Sequence, residues 1–205
     1  MSSSLLEKLV EAFIEFPGIG PRQAKRFAYF LSEADDNFVK ELGELMLEIK
    51  KEIVQCPSCF RYHAVHNNFQ KECSICKNLN RDSSLLMVVE KDVDFENIEK
   101  TGVYNGKYFI LGGTLSLIGD KDKDTKIRLK PLFEKVKKEK PKEIILGMSA
   151  TIEGDNTARY TERILEPLLE ALKASITRLG RGLSTGTEME YIDSETFENA
   201  MKNRK

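Results

Sequence analysis

Cys56-Pro57-Ser58-Cys59 and Cys73-Ser74-Ile75-Cys76 are two C-x-x-C pairs separated by thirteen residues, and they divide the chain into halves of different pattern. Each pair can bring two thiolates to one ion. Two pairs complete a tetrahedral shell, at about 2.3 Å per Zn–S bond, with no position left for water. A closed shell of this kind is structural rather than catalytic. The surrounding residues Gln55, Ser58, Asn67, Asn68, Gln70, Lys71 and Glu72 are too polar to bury four reduced cysteines in an apolar core. A metal, zinc by this spacing, is therefore expected to hold the segment together. His63 and His66 remain open as alternative ligands, with the loop surface as their simpler place.

Before the cysteines the pattern is helical. Leu5, Leu6, Leu9, Val10, Phe13 and Ile14 recur at three- and four-residue steps. So do Phe38, Leu42, Leu45, Met46, Ile49 and Ile53, after a cap at Asp35 to Asn37. Between these amphipathic helices Pro17-Gly18-Ile19-Gly20-Pro21-Arg22 forms a turn into a third helix carrying Ala24, Phe27, Ala28 and Leu31. The turn reads as the hairpin of a helix-hairpin-helix. Gly18 and Gly20 would expose backbone N–H groups beside a helix start, where the macrodipole favours an anion such as a DNA phosphate. Arg22, Lys25 and Arg26 then project as phosphate partners, in binding that ignores base sequence and weakens with salt. A plain glycine turn between helices is the competing reading.

After Asp82 short apolar runs alternate with helical stretches. The runs are Leu85 to Val89, Tyr108 to Leu111, Ile144 to Leu146 and Ile176 to Leu179, and the helices surround Phe95 to Ile98, Leu132 to Val136 and Thr157 to Leu172. This is the signature of a parallel sheet covered by helices. Glu90 ends the first run, and Glu153-Gly154-Asp155 follows the third, so these acids should emerge at the carboxyl edge of the sheet, where α/β folds build sites. They could hold Mg²⁺. In the plainer reading Asp155 caps a helix beginning near Asn156 and Glu90 satisfies loop donors.

The 205 residues carry 32 basic and 33 acidic side chains, which excludes a globally basic nucleic-acid binder and leaves local patches to make any DNA contact. Lys121 to Lys142 holds ten basic residues against four acidic ones, and Thr187 to Glu198 holds five acids and no base. The simplest reading of both is a solvated face. No run approaches the roughly 18 apolar residues of a membrane helix, and the stretch Met1 to Leu9 lacks the features of a secretory signal, so a cytoplasmic protein is expected.

Taken in order, several motifs carry a resemblance. They are the Pro17 to Pro21 hairpin, the four cysteines, Val88-Val89-Glu90, Leu111-Gly112-Gly113-Thr114-Leu115-Ser116, Thr151-Ile152-Glu153-Gly154-Asp155, Ile176-Thr177-Arg178 and Glu188-Met189-Glu190-Tyr191-Ile192-Asp193. Over nearly its whole length the chain resembles the RecR family of bacterial recombination mediators. The resemblance implies a mixed α+β and α/β protein in four segments: a helical helix-hairpin-helix region over 1–54, a C4 zinc finger over 55–80, a Rossmann-like, mostly parallel Toprim domain over 81–175 and a C-terminal extension over 176–205 that serves oligomer contacts. It implies a clamp-like dimeric or tetrameric ring acting with RecO and RecF in recombinational repair, loading recombinase on gapped DNA. It also implies non-specific binding to single- and double-stranded DNA, and a nucleoid-associated place in the cytoplasm. Arg22 and Arg26 match the family's basic hairpin positions, while Lys25 stands where many members are uncharged.

The spacer between the cysteine pairs is longer than the family's. Catalytic Toprim proteins carry a glycine after the first glutamate and an Asp-x-Asp pair; here Lys91 follows Glu90 and the pair is Glu153-Gly154-Asp155. RecR-like proteins share this departure and are regarded as non-catalytic, so no catalytic residue is expected. Glu90, Glu153 and Asp155 are expected to serve a basic partner as a docking surface or to hold Mg²⁺ weakly. The competing class is a Mg²⁺-dependent Toprim nuclease, primase or topoisomerase. Arg181 stands where the family often has histidine.

Overall fold

The computed structural model describes residues 4–65, 71–116 and 126–204. The chain divides into two compact units, one ending at Ile53 and one beginning at Val54. The first unit is helical: α1 (Leu5–Ile14), α2 (Pro21–Glu33) and α3 (Asp36–Glu52). A reciprocal cap starts α1, where Ser4 Oγ accepts from the Glu7 N–H at 3.2 Å and Glu7 Oε2 accepts from the Ser4 N–H at 2.7 Å. Asp35 starts α3 by accepting from the Asn37 N–H at 2.9 Å, at the cap expected from sequence. Phe13 meets Phe27 edge-on, with ring centroids 5.7 Å apart, and so ties α1 to α2. Ala24 and Ala28 are the buried side chains of this unit among the described residues. The apolar face of the amphipathic helix α3 is open: Phe38, Leu45, Met46 and Ile49 are all exposed.

The second unit opens with the small cysteine segment, built from β1 (Ile53–Gln55), β2 (Tyr62–Ala64) and the one-turn helix α4 (Ser74–Lys77). Then come β3 (Asp82–Val89), α5 (Asp92–Lys100), β4 (Gly106–Ile110), α6 (Leu129–Glu139), β5 (Glu143–Gly147), α7 (Ile152–Leu172), β6 (Ser175–Arg178) and α8 (Ser194–Lys202). The four longer strands pair in parallel in the order β4-β3-β5-β6. Strand alternation sends Leu86 and Val88 to one face, with Leu132 and Val136 of α6 and Leu165 and Leu169 of α7. Met87 and Val89 go to the other face, with Phe95 of α5. Because both faces are covered, the strand reads in sequence as an unbroken apolar run.

The sheet does not stop at residue 175. β6 pairs with β5 through Ile144↔Ile176 and Leu146↔Arg178, and Ile176 packs against the same cluster as Leu146, so the run read as a strand of the sheet lies beyond the bound at 175 that the resemblance implied. Among the described residues no helix is long and apolar enough to cross a membrane.

Candidate functional site

The parallel register aligns Val89, Ile110 and Gly147 at the carboxyl edge of the sheet, with Glu90, Gly112 and Ser149 in the loops just beyond. The strand order reverses between β3 and β5, which is where open α/β sheets bind ligands. Here that place is spanned by the protein itself. Glu90 is 5% exposed, and its Oε1 accepts from the Ser149 N–H at 2.6 Å. Gly154, in the first turn of α7, sits so close to this loop that a Cβ would lie 2.1 Å from the Ser149 carbonyl oxygen.

Asp155 does not cap its helix, as the plainer reading had it. α7 begins at Ile152, with Thr151 Oγ1 accepting from the Gly154 N–H at 3.1 Å, and Asp155 follows inside the first turn. Its two carboxylate oxygens accept from the two terminal nitrogens of Arg181, with Nη1 to Oδ2 at 3.0 Å. Arg178 Nη1 stands 3.7 Å from Oδ1 and donates to Glu162 through Nε and Nη2 at 2.6 and 2.5 Å. The Arg181 hydrogen bonds hold the Asp155 carboxyl below the ordinary carboxylate range against the opposing pull of partial burial, helped by the charges of Arg181, Arg178 and Arg159. The Arg181 carbonyl in turn accepts from Asn203 Nδ2 at 2.7 Å, which ties the end of α8 to the same corner.

Of the three acids singled out in the sequence, Glu90 is thus spent inside, Asp155 is paired with arginines, and Glu153 alone stands exposed. Among the described residues they do not form one metal-ligand group. A docking face shared by the three carboxylates would draw on a buried, hydrogen-bonded glutamate and a bidentate ion pair, which present little free charge, and on the exposed Glu153. Arg181 supplies the neutralising charge, and nothing in its sequence neighbourhood announces a partner 26 residues upstream.

The four cysteines do converge. Cys56, Cys59, Cys73 and Cys76 place their sulfurs within 4.8 Å of one another, the one such group of histidine, cysteine or acidic ligands among the described residues. Cys56 and Cys76 sulfurs are 3.9 Å apart, and those of Cys59 and Cys73 are 3.6 Å apart. A tetrahedron with 2.3 Å bonds has edges of about 3.8 Å, so the residues fit one ion, consistent with zinc. Crowding splits the thiols: the contact with Cys59 pulls Cys56 below its ordinary range, and the same contact pushes Cys59 above its own. Either of the His63 ring nitrogens lies 3.1 Å from a backbone oxygen, of Ala64 and of Lys71, so this histidine is engaged away from the sulfurs. His66 lies outside the described residues, as do Asn67, Asn68 and Gln70.

The cluster is docked on the sheet. Cys59 O accepts from the Ile110 N–H at 2.8 Å, which occupies the outer edge of β4. Lys107 Nζ, from the same strand, donates to the carbonyls of Ile75, Cys76 and Asn78 at 3.0, 2.9 and 2.8 Å. Phe60 adopts φ 62°, a left-handed conformation uncommon for so large a residue. Its ring meets Phe109 at 5.4 Å, and the Arg128 guanidinium lies over it at 5.2 Å.

In the helical unit, Gly18 takes φ 79° within the hairpin, and Gly20 is the N-cap of α2 with no side-chain cap. Pro21 at the first position has no N–H, so the Arg22 and Gln23 amides head the helix uncapped. Arg22, Lys25 and Arg26 are exposed and have no ion pair among the described residues.

These features define a class: a helix-hairpin-helix unit followed by a four-cysteine cluster on the edge of a Toprim-type parallel sheet. The comparisons agree with it. The family described as RecR, helix-hairpin-helix matches residues 6–50, and the Toprim domain matches residues 84–180. Recombination protein RecR of Staphylococcus saprophyticus is 34% identical over 202 residues, which cover 97% of this chain and 96% of that one. Those of Prochlorococcus marinus strain MIT 9215 and of a Cyanothece species are each 33% identical, over 97% and 98% of this chain and 94% and 95% of their own. The chain belongs to the RecR family.

The folded pKa of Asp155 lies below its unfolded value, so the Arg181 pair contributes stability above the ordinary carboxylate range, and this is lost as pH falls through the folded value. A carboxyl-carbon NMR titration is expected to find Asp155 depressed in the wild type and shifted upward in Arg181→Ala.

Proposed function

We propose that this protein is a non-catalytic recombination mediator that binds DNA through the phosphate backbone, assembles with copies of itself and acts beside partners of the RecO and RecF kind in loading recombinase on gapped DNA. The observation that carries the reading is the α2 terminus. Its uncapped amides stand beside Arg22, Lys25 and Arg26, three exposed cations with no ion pair among the described residues, on a hairpin matched to the family's own. Anions bind such termini without base contacts. Arg22→Ala with Arg26→Ala is expected to weaken binding to single- and double-stranded DNA of any sequence and to lower the slope of log affinity against log salt by about one unit per lost contact. A double variant with wild-type affinity and slope would remove the hairpin from the interface.

A catalytic Toprim reading would need Glu90, Glu153 and Asp155 as metal ligands. Both Asp155 oxygens are taken by Arg181, and Glu90 holds the Ser149 loop, which favours a scaffold whose acidic edge is used internally. A weak Mg²⁺ site would have to displace a guanidinium.

The cysteine cluster is assigned to one zinc per chain, bound by Cys56, Cys59, Cys73 and Cys76 as thiolates. Elemental analysis of purified protein is expected to give one equivalent, released as acid protonates the ligands. Well under half an equivalent, with no other metal in its place, would overturn the assignment.

Self-association rests on the bare apolar stripe of α3. Phe38, Leu45, Met46 and Ile49 are 45%, 56%, 50% and 56% exposed, more apolar surface on one helix face than a lone subunit usually leaves open. Light scattering is expected to give a multiple of 23.4 kDa, and Leu45→Glu with Ile49→Glu to reduce it. A monomeric wild type would refute the assembly.

A further inference from the structure

α6 and the residues that flank it carry a charge that their ion pairs among the described residues do not balance. Between Lys126 and Lys142 stand eight basic residues and two acidic ones, in a chain whose net charge is −1. Lys126, Lys130, Lys137, Lys138, Lys140 and Lys142 are exposed. The other two cations are already used: Lys135 is buried against Ser58 and Glu139, and Arg128 donates to the Ile110 carbonyl beneath the Phe60 ring. Of the acids, Glu139 is taken by Lys135, which leaves Glu134 as the only exposed carboxylate in the span not already paired. None of Lys126, Lys130, Lys137, Lys138 or Lys140 has an ion pair among the described residues.

Helical periodicity puts Lys130, Lys137 and Lys138 on the face opposite the buried Leu132 and Val136. The helix dipole accounts for Lys137 and Lys138, which lie in the last turn. It does not account for Lys130, which lies in the first turn, where a cation is disfavoured and no acid stands. Like charges this close raise one another's free energy, and a polyanion relieves that repulsion. Lys130 and Lys137 are seven residues apart, about 10 Å along the axis at 1.5 Å per residue, a distance spanning about three phosphates of one DNA strand at 3.4 Å each. The exposed face offers no aromatic ring for base stacking, so the contact it can make is to phosphate alone.

We infer that the lysine face of α6, on the Toprim domain, is a second DNA-backbone surface in addition to the hairpin. The inference rests on the DNA-binding reading above. It assigns no base preference and predicts that the hairpin does not carry the whole salt dependence of binding.

The test uses the full chain with fluorescein-labelled oligothymidine and a duplex of equal length, titrated across a salt series. Lys130→Gln with Lys137→Gln and Lys138→Gln is expected to lower the log–log salt slope by about two units, at roughly 0.7 to 0.9 per phosphate contact, on both DNAs. The loss should add to that of Arg22→Ala with Arg26→Ala. All three lysines are exposed, so thermal unfolding should be unchanged, and Lys173→Gln at the end of α7 serves as a control that removes one exposed charge elsewhere and leaves the slope unchanged. A triple variant with the wild-type slope, alongside a hairpin variant that loses it, overturns this surface and leaves the DNA-binding reading standing. Wild-type DNA affinity together with lost binding to polyglutamate would reassign the face to an acidic protein and equally overturn it. If the wild type bound neither DNA at low salt, the parent reading itself would fall.

Discussion

The edge of β4 depends on the four sulfurs. A parallel sheet exposes a row of unpaired amides and carbonyls at each edge, and a short domain must cover or blunt them. Here Cys56 and Cys59 turn the chain so tightly that Phe60 enters the left-handed region, and that turn delivers the Cys59 carbonyl to the Ile110 amide. The second cysteine pair ends α4 against Lys107, whose three ammonium protons are matched by three carbonyl oxygens. Without the sulfur cluster neither turn has a core of its own to hold it. The Phe60 ring, which touches the hydrophobic layers on both faces of the sheet, would then lose its anchor. The cysteines therefore act on the domain through β4, a role invisible to a reading that treats them as a separate finger.

Along the carboxyl edge of the same sheet a similar economy governs charge. A buried carboxylate without a partner is costly, and two carboxylates near each other are worse. Glu90 escapes the first problem by accepting the Ser149 amide, and Asp155 escapes the second by facing Arg181 and Arg178 rather than another acid. Each solution fastens something: Glu90 fastens the β5–α7 loop to β3, and Asp155 fastens the segment leading to α8. An acidic edge shared with metal-dependent enzymes by fold is, in this chain, an arrangement of internal latches.

The fold was legible in the sequence where one residue's neighbours decide its place. Leu85 to Val89 read as a doubly buried strand because its apolar run is unbroken, and Asp35 read as a cap because its partner is two residues away. The four cysteines were legible because thiolate chemistry demands their spacing. What stayed hidden was long-range. Lys107 looks like any strand lysine until the α4 carbonyls, some thirty residues earlier in the chain, surround it. Arg181 looks like a loop cation, and Asp155 looks like a cap, because each is defined by the other. The run from Ile176 read as a strand of the sheet, but with one inward apolar side chain it carried too little pattern to move the domain bound at 175 that the resemblance implied.

The helical unit shows why such a chain is suited to weak, distributed recognition. With two alanines as its buried side chains among those described, it holds little core and cannot spend folding energy on a rigid, base-reading surface. Phosphate contacts ask less: an uncapped helix start and a few unpaired cations suffice, and each adds affinity in proportion to the counterions it displaces. The cost is specificity and salt tolerance, because no single contact of this kind outlasts competition from ions. Repetition restores what the single contact lacks. In the proposed assembly, once one subunit is engaged a second copy would meet the same strand at a high effective concentration, so modest contacts would multiply without any new chemistry. A bare apolar stripe on α3 and an under-filled core are liabilities for an isolated subunit, and they become assets only in a protein that works as several copies.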